Sequence, residues 1–144
     1  MLAGQFALTI AAFFSGAAVY VLAAEQPARL MLDDKALLAQ WKPAYKRGAA
    51  MQASLALIGG VLGIAAWWLS GDWRWLAGAV ALLLPWPYTL LVIKPTNDAL
   101  LATDIANAGP ESRRLVEKWG QLHVARAGLG VIATLLFLWA MAIA

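Results

Sequence analysis

Ala53-Ser54-Leu55-Ala56-Leu57-Ile58-Gly59-Gly60-Val61-Leu62-Gly63-Ile64-Ala65-Ala66-Trp67-Trp68 carries no charge, and it is one of four long apolar runs, near 3–24, 45–69, 73–93 and 121–143. A hydrocarbon layer about 30 Å thick is crossed by roughly 20 apolar residues in a helix. The chain has 144 residues, of which 62% are hydrophobic and only 13% charged, more apolar surface than a small soluble core can hide. These numbers predict an all-α integral membrane four-helix bundle, up-down-up-down, formed as a single transmembrane domain over residues 1–144. No repeat or low-complexity tract interrupts it.

The charges set the expected orientation. Arg29, Lys35, Lys42, Lys46 and Arg47 follow the first run, and Lys94, Arg113, Arg114, Lys118 and Arg126 lie between the third and the fourth, so that ten of eleven cations share one side. The turn Ser70-Gly71-Asp72-Trp73-Arg74 keeps only Arg74. Positive charge in short flanking loops stays cytoplasmic, which predicts both termini on the non-cytoplasmic side and a multi-pass protein of the cell inner membrane. Ala23-Ala24 resembles a leader cleavage site, but no Lys or Arg precedes Arg29, and the first run reads as a retained helix. With no cysteine, disulfides and thiolate metal sites are excluded. The net charge of +3 reads as an insertion signal, and no basic, aromatic-interleaved patch points to nucleic acid.

The connections are expected to be partly helical. Asp33-Asp34 can cap a short amphipathic stretch through Trp41 lying along the interface, with Pro43 opening the second span at a first-turn position. Residues 97–104 read as helical, Ala108-Gly109-Pro110 breaks the pattern, and Glu111 to Trp119 resumes a charged helix that feeds the last span. Within the spans, Gly59, Gly63, Gly128, Gly130 and Ala133 offer small faces for close helix packing. Trp67, Trp68, Trp73 and Trp75 read as interfacial anchors that fix depth. Pro85 and Pro87 flank Trp86 and predict a kink, which either opens a flat cavity beside Trp86 and Tyr88 or serves packing alone.

Three polar clusters fall at one rim. On helical spacing Trp119, His123 and Arg126 share one face of the fourth helix, Tyr45, Ala49 and Gln52 share one face of the second, and Glu25 lies a turn before Arg29. For Arg29, Lys46 and Arg47 snorkelling to water is the better reading. His123, Arg126 and Gln52 lie deeper, where an unpaired ionisable group costs roughly 3 kcal/mol, so each is a functional candidate. The structural alternative is a Glu25–Arg126 or Asp98–Arg126 pair that staples helices together. One histidine and no paired Glu-x-x-His argue against a zinc or di-iron centre, so no metal ligands are assigned. A haem on His123 has no second ligand or attachment motif. There is no phosphate loop and no Gly-x-Ser-x-Gly elbow.

Three motifs then carry a resemblance: Glu25-x-Pro27-Ala28-Arg29 after a first span containing Phe14-Ser15-Gly16-Ala17, Lys94-Pro95-Thr96-Asn97-x-x-Leu100, and Trp119-x-x-x-His123-x-x-Arg126. Together they resemble the anthrone oxygenase-like family of small four-helix membrane proteins, many of unassigned function, over most of the chain from about Phe14. The resemblance implies oxidation of a flat polycyclic or quinone-like apolar substrate at the cytoplasmic rim, with no cofactor. A ring proton is removed and the anion reacts directly with O₂. His123 is then the expected general base, Arg126 and Asn97 hold the oxyanion, and Glu25 orients His123 or Arg29. Trp86, Tyr88 or Trp119 stack on the substrate, and Arg29, Gln52 and Tyr45 complete the binding surface. The rival reading is a non-enzymatic membrane protein whose rim binds a lipid, a quinone-like molecule or a partner protein; a purely structural role is the third. The expected partners are the lipid bilayer and an apolar aromatic small molecule or lipid, with a homo-oligomer left open.

Overall fold

The computed structural model describes residues 1–143. Four helices among them are long and apolar enough to cross a membrane: α1 Leu2–Arg29, α2 Asp34–Ser70, α3 Trp73–Ala102 and α4 Pro110–Ala142. In the bundle α1 packs beside α2 and α4, and α3 packs beside the same two, so α1 and α3 stand at opposite corners. Apolar residues such as Phe13, Ile58, Leu91 and Leu135 remain exposed around the outside, as lipid contact requires of a membrane bundle.

Local chemistry explains the helix ends. Asp33 caps α2 by accepting from the Ala36 N–H at 3.0 Å, and Asp72 caps α3 by accepting from the Arg74 N–H at 3.0 Å. Gly71 ends α2 at φ +71, in the left-handed region that only glycine enters freely, and its N–H donates to Trp67 O. Pro110 takes the first turn of α4, where its missing N–H has no partner to lose.

The sequence expectation of a separate interfacial helix ending before Pro43 is corrected: α2 runs unbroken through Pro43. A proline inside a helix costs about 3 kcal/mol. Burial of Leu37, Leu38 and Trp41 against Leu100, Val116 and Trp119 offsets it and holds the first turns of α2 against α3 and α4. Lys42 Nζ also donates to Leu101 O and Thr103 O at the end of α3, and Arg113 binds Asp34 and the carbonyls of Leu30 and Leu32. Both connections at this rim are thereby tied to the bundle.

Away from the rim the core is alanine-rich, with Ala7, Ala11, Ala56, Ala79, Ala133 and Ala140 around the rings of Phe14, Trp75 and Phe137. The anchor role expected for Trp75 is corrected: it is 1% exposed and its ring lies 5.3 Å from that of Phe137. Trp68 and Trp73 are exposed at their helix ends. Gly130 packs so tightly that an added Cβ would lie 2.7 Å from Phe14, whereas an added Cβ on Gly128 meets none of the described residues within 4 Å, contrary to the reading of it as a packing glycine.

Two helices deviate at matching places. In α1 residues Val21–Glu25 form a π-helical turn closed by Gln26 N–H to Val21 O, and Pro27 follows; in α3 residues Thr89–Ile93 form another, closed by Lys94 N–H to Thr89 O, and Pro95 follows. Each proline lacks the donor that a regular α-turn would use, and the wider turn keeps its ring off the preceding carbonyl. α3 is further interrupted at Leu84, just before Pro85-Trp86-Pro87.

Candidate functional site

Between the rim cluster and the alanine-rich core lies a small open pocket. All four helices supply it. From α1 come Val21, Glu25 and Arg29, placed by the first π turn; from α3 come Ile93 and Asn97, placed by the second. α2 gives Tyr45, Gly48, Ala49 and Gln52, and α4 gives Trp119, His123 and Arg126 on one helical face.

The polar groups are deeply held. Arg29, Gln52, Asn97 and His123 are 2–3% exposed, and Arg126 is 8% exposed. Arg126 Nη2 donates to Gln52 Oε1 at 3.2 Å, linking α4 to α2. Neither pairing considered for Arg126 forms: Glu25 pairs with Arg29 and accepts from Gln40 Nε2 at 3.3 Å, and Asp98 pairs with Lys94 at 2.6 Å out on the surface. Snorkelling of Arg29 is likewise corrected, since its guanidinium turns inward and lies 5.6 Å over the Trp119 ring. Between α1 and α4, Gln26 Nε2 donates to Val116 O at 2.9 Å and rests on Gly120, so Gln26 joins helices rather than lining the pocket.

An aromatic wall backs the site. Tyr45 stacks on Trp41 at 4.8 Å, Trp41 meets Trp119 edge-on at 5.8 Å, and Trp119 stacks on His123 at 5.0 Å. This fixes the imidazole by ring contact. Several buried atoms nonetheless have no hydrogen-bond partner among the described residues: Arg29 Nε and Nη1, Arg126 Nε, His123 Nε2 and Asn97 Oδ1. Buried polar groups are nearly always satisfied, so five orphans around one pocket mark a place where a polar ligand or water belongs. Two guanidinium groups face one carboxylate there, so the pocket favours an anion.

Of the residues singled out from the sequence, Glu25, Arg29, Tyr45, Gln52, Asn97, Trp119, His123 and Arg126 line this pocket. Trp86 does not; it lines an adjoining apolar opening. Tyr88 reaches neither, its hydroxyl donating to Leu122 O at 2.9 Å as a brace between α3 and α4. Sequence reading missed Val21, Ala44, Gly48 and Ile93 as walls and Trp41 as support. The small residues at 44, 48, 49 and 53 on α2 were the available signal, because side chains of that size leave room beside a helix.

A family description, anthrone oxygenase, matches residues 41–136, which takes in Tyr45, Gln52, Asn97, Trp119, His123 and Arg126 and leaves Glu25 and Arg29 outside. No curated protein and no solved structure matches the chain. With two thirds of its length matched, over a stretch contributing to the pocket from three of the four helices, this chain belongs to the anthrone oxygenase family.

Proposed function

We propose that the protein is a membrane-embedded oxygenase that binds a flat, weakly acidic polycyclic or quinone-like substrate, removes a ring proton from it and oxidises the resulting anion with O₂. The observation that carries this reading is the set of unpartnered buried nitrogens of Arg29, Arg126 and His123 around one pocket with a single carboxylate. The excess of rim cations supports a position for this pocket near the cytoplasmic face of the inner membrane.

In the proposed reaction His123 Nε2 takes a proton from a ring CH₂ activated by a neighbouring carbonyl. The negative charge passes to the carbonyl oxygen, held by Arg126 with Asn97 beside it. The electron-rich carbon gives electrons to O₂, a carbon–oxygen bond forms, and the resulting peroxide anion recovers the proton from the imidazolium. Loss of water leaves a new ketone. One CH₂ and one O₂ thus become one C=O and one H₂O, and no other oxidant or reductant is needed. Arg29, turned inward by Pro27 and held by Glu25, raises the positive potential that stabilises the anion.

A second reading, binding without turnover, draws on one feature: among the described residues no carboxylate reaches His123, because Glu25 is engaged by Arg29 and Gln40. General bases are usually oriented by such a third group. Purified protein in air with anthrone as probe separates the two. Oxygen uptake with appearance of the quinone supports the oxygenase; anthrone bound without uptake supports the binding protein; neither uptake nor binding sinks both.

A further inference from the structure

Beside the polar pocket the bundle has an apolar opening of about 170 Å³ between α2 and α3. Ala49, Ala53 and Ala56 of α2 face Trp86 and Thr89 of α3 across it, and its inner end is Arg126. Ala49 and Arg126 line both spaces, so the opening adjoins the candidate site, with these side chains between the two. Trp86 and Leu90 on its margin are exposed, at a depth where the exterior of the spans meets lipid.

The geometry points to this groove as the entry and holding site for a flat apolar ligand that arrives from the bilayer, its acidic oxygen reaching Arg126 while its ring body lies between the α2 alanines and Trp86. The inference rests on the anion-binding reading of the pocket and names the route and the shape of what it binds. The α2 alanines, Pro85, Leu90 and one indole form most of the walls, and among the described residues no acidic one lines the groove. Among the described residues its one charged group is Arg126, 8% exposed with Nε unpartnered, so charge complementarity selects one acidic oxygen on an otherwise apolar molecule. Thr89 Oγ1, buried and unpartnered in the same groove, offers a second polar contact to that ligand.

Trp86 is the latch. Its Nε1 donates to Ala53 O at 3.2 Å, bridging the two helices over the opening. That carbonyl lies within the regular α2 ladder and already serves a backbone N–H, so the indole bond is a shared one and opens readily. Pro85, Pro87 and the π turn remove regular backbone bonds from α3 at this level and leave the segment able to shift.

The test uses full-length protein in phosphatidylcholine vesicles preloaded with tritium-labelled anthrone, its association followed by scintillation proximity counting. Ala53→Phe, which fills the groove, is expected to slow association about tenfold or more, the scale on which an apolar site rejects what no longer fits. Trp86→Phe keeps a ring and removes the latch bond, and is expected to speed both association and release. If native protein binds anthrone and both variants exchange it at the native rate, the groove is not the route, while the pocket reading stands. If Ala53→Phe loses its helical circular dichroism, Trp86→Phe decides alone: faster exchange supports the route and unchanged exchange overturns it. Native protein that binds no anthrone overturns the pocket reading and this inference together.

Discussion

Arg29 and Asn97 stand two residues beyond Pro27 and Pro95, each after a π-helical turn, and both are buried on the wall of one pocket from opposite corners of the bundle. Each extra residue in a turn rotates everything after it by about 100° around the helix axis. Two prolines thus aim two polar side chains inward where a regular helix would send them elsewhere.

That relationship gives the first expectation. Replacing Pro27 and Pro95 together by alanine restores two backbone donors and allows both helices to regularise. Helical circular dichroism should persist or rise, while anthrone affinity falls about a hundredfold, the scale associated with a displacement of about 1 Å at a site. Unchanged affinity would mean the π turns do not place the site.

Arg126 is held by one hydrogen bond to Gln52 and has no counter-charge among the described residues, an arrangement that serves a ligand better than it serves stability. Removing a guanidinium from membrane depth relieves about 3 kcal/mol on insertion scales, and stranding Gln52 returns about 1 kcal/mol. Arg126→Leu should therefore stabilise the protein in denaturant titration by roughly 2 kcal/mol while abolishing anthrone binding. A destabilised variant would show instead that Arg126 is a structural staple.

For His123 the expectation separates binding from chemistry. His123→Ala keeps the cations and should bind anthrone within a few-fold of native, yet oxygen uptake should fall by about 10² to 10⁴, the usual worth of a positioned base. Full uptake in this variant would remove His123 from the mechanism.

The glycines of α3 and α4 differ in what surrounds them. A Cβ on Gly78 would lie 2.5 Å from the Phe137 ring, whereas one on Gly128 meets nothing within 4 Å. Gly78→Ala should lower the thermal midpoint through about 1–3 kcal/mol of overpacking. Gly128→Ala should raise it through about 0.5–1 kcal/mol of helix propensity alone. Equal effects at both sites would contradict the packing described for α3 against α4.

Much of the architecture was readable beforehand, because hydrophobic runs and charge placement report directly on what a bilayer accepts. The apolar stretch 53–68 could only be a span, and four spans return three polar clusters to one end. On α4 the spacing of Trp119, His123 and Arg126 was enough to put them on one face, and the helix carries no break that would rotate them apart. Reading failed where tertiary burial overrode a local rule. Pro43 looked like a helix start, yet Trp41 and Leu38 pack well enough to carry the helix past it. Trp75 looked like an anchor from its position near a helix end, but it fills the alanine-rich interior.

By itself, then, the sequence determined the four membrane-length helices, the polar end of the bundle and the residue types gathered there, since each of these follows from composition and period along a single helix. Only the tertiary structure decided that Arg126 meets Gln52 rather than a carboxylate, that Arg29 turns inward, that Tyr88 is a brace and that Trp86 closes a groove. Those contacts depend on how each helix is rotated and where its ladder is interrupted, and a rotation shared between neighbours is fixed by packing across the bundle, not by any one stretch of chain.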